Sequence, residues 1–366
     1  MSNTTYQTQG IVRHLPVFYE NLIDRLDFSM SWLSGNYTDF DAWRTDARTK
    51  LRECFLTPPP ECDFDPVVIG EEDRGTHIAQ RVVINLSADS RVLGYLLTPK
   101  GDGPFPGVLL LHDHGGHFSI GKEKVVRPFD EPEERMADSA HFITTCYGDR
   151  YVGDELASRG YMCFVTDMYC WSHRRGEDNP DQEKVCSNLM HFGMSLAGMI
   201  AHEDLRALKF LRSQPKLDTS RVGAMGLSVG CYRTWQICAA TDDVHAGCAI
   251  CWLGTIAGQM QPGINQSYGG SAYVMLHPNL HNFLDYPDVA SIACPKPMLF
   301  FNGSRDGLFP ADDVQVAFDK MRTVWESQGV GDKLVTKFFD VEHEYSAAMQ
   351  DEAFDWLDGA LGVTRR

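Results

Sequence analysis

The sequence predicts an α/β fold: a mostly parallel sheet of eight strands with helices on both faces, preceded by a helical extension. Three observations carry this. From about residue 78 onward, strand-like and helix-like segments alternate, the pattern of a parallel sheet crossed by helices. YMCFVTD and RVGAMGL are near-continuous apolar runs, as strands buried on both faces must be. Before residue 58 the apolar residues recur at helical spacing instead.

Taken in order, YENLIDRLDFSMSWL and TDFDAWRTDARTKLRECF read as amphipathic helices, the second opened by a Thr or Asp cap. TPPPECDFDP then breaks the pattern. We therefore place an N-terminal helical extension, packed on the core, at 1–75 and the main domain at 76–366. RVVINLS and RVLGYLLTP, separated by ADS, predict a hairpin, and GVLLLH a third strand. GDELASRG reads as a helix stopped by Gly, YMCFVTD as a buried strand, and MSLAGMIAHEDLRALKFLRSQ as a helix. Then come strand RVGAMGL, a helix from Val229, strands HAGCAICW and KPMLFFNG, helix ADDVQVAFDKMRTVWESQG, strand KLVTKFFD and a last helix, SAAMQDEAFDWLDGAL. Two polar and aromatic stretches, an insertion at 117–148 and a second at 168–192, are longer than simple connections need and suit lids or pocket walls.

The 366 residues carry a net charge of −17 with 43% hydrophobic residues. That is globular composition, and the acidic surface argues against nucleic acid or an anionic membrane as partner. Eleven scattered cysteines, several inside apolar runs such as GCAICW, read as buried thiols rather than a disulfide framework. Cys248 and Cys251 form a C-x-x-C without the second pair a zinc ribbon needs. The first thirty residues contain no apolar secretion signal, so a cytoplasmic location is expected. The oligomeric state is left open, a homo-oligomer included.

The chemistry gathers in RVGAMGLSVGCYRTW. Gly226-Leu227-Ser228-Val229-Gly230 is G-x-S-x-G between a buried strand and a helix. That context makes a sharp turn with an exposed serine hydroxyl and sets the N–H of Val229 at a helix N-terminus, facing a developing oxyanion. A serine nucleophile needs a base, and the base an orienting acid. His343, between strand KLVTKFFD and the final helix, stands where the base is expected. Asp306, in the Gly-flanked turn SRDGLFP after strand KPMLFFNG, is the candidate acid, with a plain turn role as its alternative. Asp312 and Asp313 look like helix caps, and Asp340 lies on the histidine's own strand. His245 falls at the wrong end of its strand; His277 and His281, spaced i,i+4, suit a solvated helix face better than a pocket.

The stretch LLLHDHGGHFSIGKEK admits two readings. His112, His114 and His117 form H-x-H-x-x-H, similar to the metallo-β-lactamase motif but with Gly116 where that motif has Asp. Alternatively the loop after the third strand supplies a second oxyanion N–H, from His114 or Gly115. We prefer the second, with no metal. Trp171, His173, Arg174 and Trp252 are candidates for the substrate-binding wall.

GLSVG, NGSRDGLFP and VEHEY resemble the dienelactone hydrolase and acetyl xylan esterase-like branch of the α/β-hydrolase superfamily, as do DELASRGYMCFVTDMY and the approach to the elbow. The resemblance covers about residues 78–361. It implies the α/β-hydrolase fold and cleavage of a carboxylic ester through a Ser228–Asp306–His343 triad, without cofactor. The N-terminal extension and the long insertion resemble those of large esterase-like proteins from polysaccharide-degrading bacteria, and that resemblance implies an ester on a carbohydrate, acetyl or methyl. Dienelactone hydrolases proper carry Cys at the nucleophile, where Ser228 stands here. A lactone hydrolase, a prolyl-oligopeptidase-like peptidase (whose propeller repeats are missing) and a metal-dependent hydrolase are the rival expectations.

Overall fold

The computed structural model describes residues 15–176, 182–261, 263–264 and 270–364. One sheet of nine strands organises them: β1 (Val67–Asp73), β2 (His77–Ser87), β3 (Ser90–Pro99), β4 (Phe105–Leu111), β5 (Met162–Thr166), β6 (Leu217–Leu227), β7 (Ala246–Ile250), β8 (Met298–Gly303) and β9 (Leu334–Phe339). Their spatial order is β1-β2-β3-β5-β4-β6-β7-β8-β9. The first three strands pair antiparallel, β3 pairs antiparallel with β5, and from β5 to β9 all pairs are parallel. The expected hairpin is β2–β3, closing at Ser87↔Ser90.

Alternating side chains send the central strands into two cores. Leu109, Leu111 and Phe164 face one side and Val108, Leu110, Cys163 and Val165 the other. The first core is covered by α2 (Phe40–Cys54), α6 (Leu196–Arg212), α7 (Val229–Ala240), α9 (Tyr286–Ser291) and α10 (Ala311–Ser327). The second is covered by α3 (Glu133–Cys146), α4 (Val152–Ser158) and α11 (Ala347–Ala360). Three short helices, α1 (Leu15–Ile23), α5 (Gln182–Met190) and α8 (Ile256–Gln259), complete the set.

The chain runs from β4 outward to β5, then crosses back to β6 on β4's other side. Between β4 and β6 the strand order reverses, and at such a switch point the C-terminal ends of neighbouring strands leave a crevice. The loops after β4 and β6 therefore meet.

Three expectations are corrected. The sheet has nine strands rather than eight, because β1 lies inside the stretch assigned to the helical extension. It is an edge strand whose Val67, Val68 and Ile69 are exposed, and Gly70 and three acids follow, so no buried face imposes an alternation to read. The 1–75 extension is thus helical only in part, and β1 belongs to the main sheet by its pairing with β2. The first predicted helix ends early: α1 stops at Ile23, and only a 3₁₀ turn at Trp32–Ser34 follows. Finally, the 117–148 stretch is not a bare insertion, since its second half is mostly α3, with Phe142 and Ile143 buried.

No helix is long and apolar enough to cross a membrane among the described residues. All eleven cysteines are free thiols.

The α2 segment is integral to the core. Trp43, Ala47 and Leu51 are fully buried, and Trp43 Nε1 donates to the carbonyl of Met30 at 2.8 Å. Trp43→Ala is expected to destabilise the whole domain by about 3–5 kcal/mol, read as one shifted urea transition. A separate early transition, with the main one unmoved, would show instead that α2 folds independently.

Candidate active site

Ser228 sits between β6 and α7 with φ 56° and ψ −123°, a conformation in which an L-residue is strained. Its neighbours hold it there. A Cβ on Gly226 would lie 2.4 Å from the carbonyl oxygen of Leu111, and one on Gly230 only 1.9 Å from the same atom. Nothing larger than glycine fits at either G of G-x-S-x-G, because α7 presses against the end of β4. The Ser228 N–H donates to the carbonyl of Ile250 at 2.8 Å, tying the turn to β7. Val229 opens α7, so its N–H is among the helix's first, which have no intrahelical acceptor.

Asp306 and His343 come from the loops after β8 and β9. Gly303 lets these loops touch, since a Cβ there would be 2.3 Å from the carbonyl oxygen of Glu342. Ser304 N–H and Arg305 N–H then donate to the carbonyls of Phe339 and Val341. The buried Asp306 carboxylate is divided in its work. One oxygen accepts the N–H groups of Leu308 and Phe309 at 2.8 and 3.2 Å, which fixes the turn. The other stands 2.7 Å from His343 Nδ1. Nδ1 must carry the proton there, which leaves Nε2 as the basic nitrogen.

Ser228, Val229 and His343 line a single cavity of about 350 Å³, together with His114, Gly115, Gly116 and Asp113 from the loop after β4. Phe142, Cys146, Leu227, Ser271 and Leu308 supply its remaining wall. A serine, a histidine oriented by a carboxylate and backbone N–H groups in one small, largely apolar cavity are together equipped for acyl transfer.

The three histidines after β4 do not converge on a point. His112 is fully buried; its Nδ1 donates to the carbonyl of Asp113 at 2.9 Å, and its Nε2 accepts the N–H of Met168 at 2.9 Å. His114 Nδ1 accepts the N–H of Gly116 at 3.3 Å, and its Nε2 faces the side-chain amide of Gln182. His117 pairs with Asp138 at 2.7 Å. Each ring fastens a different piece of loop.

Four wall assignments are corrected. Trp171 is fully buried, and its Nε1 donates to the carbonyl of His114 at 2.9 Å, behind the loop rather than in the cavity. Arg174 grips both carboxylate oxygens of Glu203, at 2.5 and 3.0 Å, and stacks on Tyr169. Trp252 is packed among Tyr232, Tyr286 and Phe309. Among the described residues none of the three lines the cavity, nor does His173. Large amphipathic side chains near strand ends are as apt to be buried under a site as to border it. Among the wall residues that sequence reasoning missed, Phe142 and Cys146 lie on α3, and their only signal was the length of the 117–148 stretch.

His277 and His281 do not lie on a solvated helix face. His277 precedes a 3₁₀ turn at Leu280–Asn282, stacking on Tyr232 and bonding Gln236, and His281 lies within that turn and meets Tyr286. His245 stays at the N-terminal end of β7, accepting the N–H of Val222.

Burial keeps several of these rings neutral. It pushes His114 down to about 4, His277 to about 3, and His112 well below the usual histidine value. Between pH 6.5, the ordinary histidine value, and about 4, the unfolded chain takes up protons that the native rings refuse, so stability rises with pH through this window. The free energy of urea unfolding is expected to fall from pH 7 to 4.5. In His277→Gln it should fall by roughly 2 kcal/mol less. An identical slope in the variant would show that His277 protonates equally in both states.

Comparison with known proteins agrees with this architecture. Residues 147–347, more than half the chain, match the model of the dienelactone hydrolase family. A Bacillus subtilis (strain 168) protein named "Putative hydrolase YtaP" is 24% identical over 318 residues, spanning 86% of this chain and 98% of that protein. Among solved structures, a "putative acetyl xylan esterase" of Bacteroides fragilis superposes with a TM-score of 0.67 at 16% identity, over 92% of this chain and 84% of its own. A glucuronoyl esterase from Solibacter usitatus gives 0.65 at 14% identity, over 92% and 97%. At these identities the structural likeness establishes the fold, while the family rests on the matched segment, which holds Ser228, Asp306 and His343. The chain belongs to the dienelactone hydrolase family.

Proposed function

We propose that this chain is a serine esterase cleaving a short, uncharged acyl ester, with an acetylated carbohydrate as the substrate class. The observation that carries the reading is His343, bonded to the buried Asp306, facing the same cavity as the strained Ser228. Ser228 attacks the ester carbonyl while His343 Nε2 takes its proton. Asp306, bonded to Nδ1, holds the ring in that tautomer and stabilises its cationic form. The N–H of Val229 and one from the loop after β4 hold the oxyanion. His343 returns the proton to the leaving alcohol, and water then attacks the acyl-enzyme along the same route.

The cavity supports the acyl class. At about 350 Å³, walled by Phe142, Leu227, Val229 and Leu308, it suits a small apolar group. Among the described residues no Lys or Arg lines it, so a free carboxylate on the acyl side would find no counter-charge. The carbohydrate alcohol is suggested by the esterases that share the fold.

One set of assays tests this. Ser228→Ala should lose about 10⁴-fold or more in kcat on p-nitrophenyl acetate and all labelling by a fluorophosphonate probe. Wild type should keep its rate in a metal chelator and prefer acetyl over octanoyl esters by at least about tenfold in kcat/KM. Labelling or turnover that survives Ser228→Ala refutes the nucleophile, chelator inhibition revives a metal mechanism, and a preference for octanoyl esters refutes the short-acyl class.

A further inference from the structure

Lys122, Glu123 and Lys124 are three charged residues in succession, yet all three side chains are fully buried. Lys122 is matched by Glu123 and Asp167, at 2.5 and 2.9 Å. Lys124 is directed otherwise. Its ammonium donates to the carbonyl of His114 at 2.7 Å and, more weakly, to the carbonyl and carboxylate of Asp113 at 3.3 and 3.4 Å. Its nearest carboxylate, Asp113, is shared with the hydroxyl of Tyr147 at 2.7 Å. The best hydrogen bond of a buried cation thus goes to a neutral peptide carbonyl, and Trp171 Nε1 supplies a second donor to the same oxygen at 2.9 Å.

A peptide unit is planar and trans, so its C=O and N–H point in opposite directions. The carbonyl of His114 belongs to the same peptide as the N–H of Gly115. With that oxygen drawn back onto Lys124 and Trp171, the Gly115 N–H is turned the other way. Gly115 lines the cavity, and no acceptor holds its N–H among the described residues. The next N–H, of Gly116, is already taken by His114 Nδ1. Only glycine can complete this turn: Gly115 and Gly116 have φ of 58° and 68°, and a Cβ on Gly115 would meet Asp113 Oδ1 at 2.4 Å and Phe142 at 2.5 Å. A cation on the carbonyl end also polarises the peptide, making the N–H a stronger donor.

We propose that Lys124 and Trp171 are positioning residues that clamp the His114–Gly115 peptide from behind and aim the Gly115 N–H at the oxyanion. This rests on Ser228 being the nucleophile. The clamp acts on the transition state, so its loss lowers kcat and leaves KM in place.

The test compares Lys124→Met and Trp171→Phe with wild type and Ser228→Ala. Trp171→Phe removes the N–H and keeps an aromatic ring at the site, a smaller disturbance than losing the buried charge, so it remains informative if Lys124→Met fails to fold. The readouts are kcat and KM on p-nitrophenyl acetate and the Ki of phenylboronic acid, which forms a tetrahedral anion on a catalytic serine. We expect kcat to fall about tenfold in Trp171→Phe and about a hundredfold in Lys124→Met, KM to stay within about twofold, and Ki to rise by the factor that kcat/KM falls. A Trp171→Phe enzyme with wild-type kcat and Ki overturns the clamp, as does a loss confined to KM. Turnover surviving in Ser228→Ala would instead refute the nucleophile on which the clamp depends.

Discussion

The site depends on one close approach. The backbone of α7 passes so near the end of β4 that a single carbon added to Gly230 would lie 1.9 Å from the carbonyl oxygen of Leu111. This contact forces the sharp turn that places Ser228 in its strained conformation. It also fixes the separation between the elbow and the loop beginning at His112. Two N–H groups can share one oxyanion only if that separation is correct to a fraction of an ångström. A parallel sheet whose order reverses between β4 and β6 brings these two loops together, and the glycines let them close.

Around that contact the loop after β4 is secured from several sides. Arg233 of α7, itself held by Asp204 at 2.6 and 2.9 Å, donates to the carbonyl of His112 at 3.1 Å. His112 accepts from Met168 beyond β5, Tyr147 holds Asp113, and Lys124 with Trp171 holds His114. Charges and rings that would be costly to bury alone are each satisfied by a neighbour here. The loop is anchored at several points, and such anchoring lets a backbone N–H stabilise charge with little reorganisation.

Much of this was legible in the sequence. The hairpin, the alternating strands and helices, the G-x-S-x-G turn, Asp306 and His343 all follow from local pattern and chain order, since each is fixed by nearby backbone constraints. The Asp306 turn shows why: the same carboxylate caps its own loop and meets the histidine, so one short motif serves both. What was illegible depended on distant partners. The burial of Lys122 and Lys124 is decided by Asp167 and Asp113, which no local pattern places beside them. Trp171, Arg174 and Trp252 looked like a pocket wall because their burial is decided by His114, Glu203, Tyr232 and Tyr286, none of them close in sequence. Strand β1 escaped notice because an exposed edge imposes no alternation on its residues.

The most direct measurement is a crystal structure of the enzyme inactivated by a small alkyl phosphonate, whose adduct mimics the tetrahedral intermediate. The account predicts phosphorus bonded to Ser228 Oγ, with its anionic oxygen within about 3.1 Å of both the Val229 and Gly115 nitrogens, and His343 beside the ester oxygen. A phosphonyl group on another residue, or an anionic oxygen held by a donor outside these two loops, would contradict it.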